Sequence, residues 1–290
     1  MRLVALLFLL WGLPLPALAS GLAIDTPGVH RLTEDVTGAE GAVVRIRTDD
    51  VALDLNGHTI RCAPADPATA GSHGVHAPQR RNIRVYNGRI TGCMFGINMT
   101  GAEDVSVVDV DLSGNTFIGV QLRGARGAQV RASTFADIGG YALAGYAVGI
   151  NGVGSDAVID GNTFVDIVRQ PGFDGVGEGV AILISSGSRN VTVRRNWIEN
   201  LASPHEIAIW VAADTADVEI VRNVISGYAM PIRGANGTAV GNSILLQEPI
   251  EPSIAIQLNA GTARDNLVVG FQAPFGDMIV DGGGNVIVGP

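Results

Sequence analysis

Ten short alternating runs along the chain each lead to a small polar residue: Asn56, Asn87, Asp109, Ser133, Asn162, Asn196, Asn223, Asn242, Asn266 and Asn285. The runs, among them VRIR, ALDL, NIRVY, DAVID, NVTVRR and DVEIV, alternate apolar and polar residues. Period two marks β-strand, and almost no segment carries the 3.6-residue period of a helix. The polar residues recur every 19 to 34 positions, which specifies a solenoid of short strands and turns. Stacked coils lie about 4.8 Å apart, so asparagines in one column can bond from coil to coil. Asn also tolerates the left-handed backbone of a tight turn. The column is structural.

A second column precedes the first in each repeat: GVHA (74–77), GINM (96–99), GVQL (119–122), GING (149–152), VAIL (180–183), IAIW (207–210), PIRG (231–234) and IAIQ (254–257). Alternation points Ile97, Val120, Ile150, Ile182 and Ile209 inward. His76, Asn98, Gln121, Asn151, Trp210, Arg233 and Gln257 then face out, with Leu183 the apolar exception. The expected fold is all-β, a single-stranded parallel β-helix of nine to ten coils. Composition agrees: 39 glycines in 290 residues and 16% charged residues suit many turns and few helices.

The opening stretch GVHRLTEDVTG…VVRIRTDDVALDLNGHTIRC and the repeats DAVIDGNTFVDI and NVTVRRNWIENL resemble right-handed parallel β-helix proteins of the pectate-lyase-like superfamily. The resemblance covers the chain beyond residue 20 and implies the right-handed form of the solenoid. It matches no specific enzyme family, because this fold hosts lyases, hydrolases, epimerases, binding proteins and adhesins. The paired-Asp and Gly-His-Gly motifs of polygalacturonases are absent, as are the Arg-x-Pro-x-x-Arg element of pectate lyases and the DPH element of mannuronan epimerases.

Residues 1–19 read as an export signal, with Arg2, an apolar stretch from Leu3 to Leu13, and Ala17-Leu18-Ala19 before the cut. The expected product is one β-helix domain over 20–290, with 22–50 as cap and first coil, monomeric and secreted or periplasmic. No later run approaches the length of a membrane span, so no membrane insertion is expected. Cys62 and Cys93 each lie six residues after a column residue, Asn56 and Asn87. Equal offsets place them on neighbouring coils, within reach of a disulfide. His58, just past the Asn56-Gly57 turn, reads as structural.

Every one of the 19 basic residues is an arginine, and losing Arg2 with the leader takes the formal charge from −9 to −10. Such a chain is a poor nucleic-acid binder. Polyanionic sugars need local arginine clusters or a bridging cation, for which calcium is the candidate cofactor. No metal-ligand cluster is read: His73 and His76, three apart, are a solvated turn without further ligands, and Asp109 and Asp111 are structural or surface groups.

Three consecutive coils exceed the bare length of about 22 residues (Gly74 to Phe95), always just before the outward-facing strand. The surplus lies at 136–148, 165–180 and 199–208, and should form one wall beside the sheet. Long loops on a rigid scaffold concentrate function. The outward amides can bond hydroxyls, Trp210 can stack on a sugar face and Arg233 can hold a carboxylate. The expected partner is therefore a polysaccharide or oligosaccharide.

The wall carries the acid–base candidates Tyr141, Tyr146, Asp174, Glu178, His205 and Glu206. Elimination from a uronic acid needs a neutralised carboxylate, a base and an acid. Arg233, His205 and Tyr146 fill those roles. Hydrolysis needs two carboxylates across the scissile bond, and Glu178 with Glu206 or Asp174 would be the pair. Elimination is the favoured reaction; the rival reading is a non-catalytic carbohydrate-binding or envelope scaffold protein.

Overall fold

A computed structural model describes residues 21–169 and 178–290. The strands coil into a parallel β-helix with three sheets running its length. One turn shows the plan. Ala147–Val153 lies in the first sheet, Ala157–Asp160 in the second and Thr163–Ile167 in the third, and the next turn opens with Gly179–Ile184. Each strand pairs in parallel with its equivalents on the turns before and after. The first sheet begins at Leu22–Ile24 and ends at Ala273–Phe275. Residues 22–50, expected as cap and first coil, form one full turn, the first-sheet strand of the next and the corner that follows it. Among the described residues no helix is long and apolar enough to cross a membrane.

Alternation fills the interior as expected. Val75, Ile97, Val120, Ile150, Ile182 and Ile209 stack in register along the first sheet, each with 0% exposure. Each such side chain contributes roughly 1.5–3 kcal/mol by leaving water. From the third sheet Phe135 and Phe164 stack within the core, centroids 4.7 Å apart. The glycines at 119 and 149 face this layer: a Cβ on Gly119 would sit 2.7 Å from the Phe135 ring. Small residues there let the first and third sheets close on each other.

Between the second and third sheets runs the polar column, and it consists of two distinct rows where the spacing pattern suggests one. Asn162, Asn196, Asn223, Asn242, Asn266 and Asn285 form a ladder in which each backbone N–H and Nδ2 donates to Oδ1 of the next. Ser133 joins by donating its N–H to Asn162 Oδ1. Asn87 and Asp109 lie one position earlier, and they and Asn56 all have a left-handed backbone (φ 63°, 55° and 54°). The ladder position beside Asn87 is Gly88, where a side chain would meet Leu55 Cβ at 2.4 Å. The first row asks for a left-handed backbone, which Asn56 and Asn87 tolerate, and the second asks for the amide itself.

Cys62 and Cys93 are bonded, with Cα atoms 4.9 Å apart on adjoining turns. His58 lies 3.4 Å from Asp35 near the capped end, consistent with a structural role.

Candidate functional site

The outward positions of the first sheet form one continuous row. Register runs Arg45, His76, Asn98, Gln121 and Asn151, and then from Leu183 through Trp210 and Arg233 to Gln257. Asn151 Nδ2 donates to Gln121 Oε1 at 2.6 Å, so two neighbouring amides are already oriented. Asn98 Oδ1 instead accepts from the N–H and hydroxyl of Thr100. Gln257 Oε1 is buried without a partner among the described residues. Trp210, Arg233, Gln257 and Asn259 line a cavity of about 290 Å³ on the flank of the row.

The described parts of the inserted loops, 139–146 and 200–206, stand along the other flank. The backbone N–H of Ala142 donates to Ala68 O at 2.7 Å, clasping the 139–146 loop to a loop several turns earlier. Beneath the wall lies an apolar cluster outside the coil. Ile118, Val148, Val180 and Ile207 are its buried members, and Phe95, Phe117, Leu183 and Trp210 pack on it. Aromatic rings edge it in series: His76, His73, Phe95, Phe117 and Tyr141, with neighbouring centroids 4.8 to 5.8 Å apart. Burial pulls His73 down to about 4, with His76 and Arg45 adding to the shift. His76 is lowered for the same reason, burial first and then Arg45. Both rings are therefore neutral at pH 7.

At the wall end of the sheet the acid–base candidates separate. Ala147 faces Gly179, and Val180 faces Ile207, so Tyr146, Glu178 and His205 sit just before the strands of three successive rungs. Glu178 reaches Arg233, two rungs past its own, at 3.4 Å between Oε1 and Nη1. Both side chains keep solvent access, 25% for Glu178 and 42% for Arg233. Tyr146 is exposed, and so is His205, whose ring makes no hydrogen bond among the described residues. Glu206 points the other way. It is 1% exposed, accepts from the Gly179 N–H, and lies 3.8 Å from Arg169. Burial raises its pKa, against the pull of Gly179 and Arg169. Tyr141 is buried in the aromatic series. Asp174 lies outside the described residues, as does the leader 1–19.

Residues 41–198 match the family described as the right handed beta helix region. The chain belongs to that family. Its coil is thus right-handed, the sense nearly all parallel crossovers take. No curated protein sequence matches it. Among solved structures, this β-helix protein is similar to an alginate lyase from Paenibacillus sp. str. FPU-7. Identity is 17%, the TM-score 0.62, and the match covers 89% of this chain and 90% of that one. It is also similar to a tailspike protein of E. coli bacteriophage HK620 in complex with a pentasaccharide. There identity is 14% and the TM-score 0.57, over 91% of this chain and 58% of that one. DFA-IIIase from Arthrobacter chlorophenolicus A6, in complex with GF2, matches at 13% identity and a TM-score of 0.51. That match covers 86% of this chain and 66% of that one. At such identities the likeness is one of fold.

Three parts of this face of the β-helix protein escape the sequence pattern. Arg45 extends the outward row, Phe95 and Phe117 edge the outer cluster, and Arg123 and Arg126 line a cavity beside Asn151. The signal for the cluster is an apolar residue three before the outward amide in FGIN and IGVQ, where strict alternation breaks. Among the described residues no group of three or more His, Cys, Asp or Glu could hold a metal ion.

Proposed function

We propose that the protein binds an extracellular or cell-envelope polysaccharide along the outward row and cleaves it at the Glu178–Arg233 end, by elimination in preference to hydrolysis. The observation that carries this is the half-buried, solvent-accessible Glu178–Arg233 pair at the end of an amide-lined row carrying Trp210. Hydrolysis would need a second carboxylate facing the same bond, and Glu206, the described candidate, is buried against Gly179. The saccharide context of the solved structures adds support: an alginate lyase and a tailspike protein in complex with a pentasaccharide share the fold.

In this reading a uronic acid carboxylate takes the place of Glu178 at the Arg233 guanidinium. Its charge is neutralised there and the adjacent C–H becomes more acidic. His205 removes that proton, the electrons form the new C=C bond, and the glycosidic oxygen leaves with a proton from Tyr146. General acid–base catalysis of this kind contributes about 10²–10⁴-fold.

A polysaccharide panel read by ultraviolet absorbance of the unsaturated product tests the proposal. His205→Ala should lower kcat by roughly 100-fold or more while leaving binding intact. Full activity in that variant would overturn the choice of base. Glycan binding with no turnover on any polymer would favour the non-catalytic binder.

A further inference from the structure

Centred three rungs before Arg233, on the flank of the row away from the loop wall, lies a cavity of about 630 Å³. A break in regularity shapes it. Pairing between the rungs at Ala147–Val153 and Gly179–Ile184 shifts register between Ile150 and Val153. Gly152 sits in the break at φ +75°, where a Cβ would fall 2.9 Å from the Arg123 Cα. Only a glycine lets this rung pass so close to the Arg123 turn, and the bulge opens the strand face beside it.

The lining is chemically one-sided. Arg123 and Arg126 contribute guanidinium groups, Asn151 an amide, and Ser155, Ser185 and Ser186 hydroxyls, with no carboxylate among the described lining residues. Both arginines are exposed, and neither makes an ion pair or side-chain hydrogen bond among the described residues. The nearby Glu103 is already engaged by Arg81 at 3.0 Å. In a chain with a formal charge of −9, a concave site holding two unpaired arginines and no acid is a local reversal of the protein's field.

We infer that this cavity is a second subsite, for an anionic oxygen substituent on the bound glycan, held by Arg123 and Arg126. The substituent is a uronate carboxylate or a sulfate ester, either of which matches the planar guanidinium fork. Arg123 and Arg126 follow the Gln121 strand, four rungs before Arg233 and about 19 Å from it along the axis, so the subsite reads a charge on a different sugar ring from the carboxylate held at Arg233. The inference rests on the reading that a glycan runs along the first sheet. It adds that the glycan is anionic at more than one position.

Calorimetry on the full chain tests it, using His205→Ala to block turnover. The titrants are an oligouronate, its carboxyl-reduced neutral counterpart, and a sulfated oligosaccharide of equal length. Arg123→Gln/Arg126→Gln should weaken the preferred anionic ligand by roughly tenfold or more and leave the neutral one unchanged. The preference between the two anionic titrants identifies the substituent. Arg47→Gln, a control at an exposed arginine paired with Asp25, should have no effect. Equal affinity for charged and neutral ligands, or indifference to the double substitution, overturns the subsite. If the protein carrying Arg123→Gln/Arg126→Gln still releases unsaturated product from a uronate polymer, the proposed activity survives that result; if no glycan binds, both readings fall.

Discussion

Asn196 spans three rungs with one side chain. Its Nδ2 donates to Ile159 O behind and to Asn223 Oδ1 ahead, and its Oδ1 accepts from the N–H and Nδ2 of Asn162. Asn196→Ala leaves these buried partners unmatched, so stability should fall by roughly 2–4 kcal/mol, read as a lower urea midpoint at unchanged m-value. His73 acts through protons. Its native value of about 4 lies below the ordinary 6.5, so between those pH values the unfolded chain binds the extra proton. This contribution is complete above about pH 6.5 and drains away as the pH falls towards 4. The shift corresponds to roughly 3 kcal/mol, reduced because the ring is partly exposed to solvent. His73→Phe should flatten the acid limb of a stability–pH curve; an unchanged limb would remove His73 as its source. At this scale the sequence is legible in type but ambiguous in position. Asn87 and Asn162 look alike in a string, yet one is selected for its backbone angle and the other for its buried amide.

Strands and loops are legible to different depths. Strand faces follow a period of two, which is why alternation alone identifies the row from His76 to Gln257. Loop directions follow no period. Glu206 and His205 are neighbours in the chain, but one is buried on Gly179 and the other stands in solvent, and nothing in SPHEIAIW distinguishes them. The bulge at Gly152 is likewise a tertiary event, although the GVG at 152–154 is its trace in the sequence. The disulfide is legible because it depends only on repeat arithmetic. It closes a 31-residue separation between adjoining turns, so Cys62→Ala/Cys93→Ala should cost about 2–4 kcal/mol. Hydrogen exchange should accelerate in the first rungs and leave the rungs around Trp210 unchanged; uniform acceleration would show that the bond holds the whole coil.

Over the whole molecule, stability is a sum of rungs, each in contact mainly with its two neighbours. The asparagine ladder makes that sum directional. Every amide donates toward the C-terminal end, and the last, Asn285, donates to the Asp281 carboxylate at 2.6 Å. Each turn thus offers the next the same donors and asks of it the same acceptor. Deleting 243–266, one period from Asn242 to Asn266, would place Leu267 where Ser243 stood, in the register the two already share. Such a chain should fold cooperatively, with a smaller urea m-value and an envelope shorter by about 4.8 Å in solution scattering. Collapse to an aggregate would mean that the turns are not interchangeable. If they are, the protein is a one-dimensional crystal whose unit cell is a single coil. The number of cells then sets how long a stretch of polymer it can grip, and evolution could lengthen or shorten that grip by whole periods without redesigning the chemistry at Glu178 and Arg233.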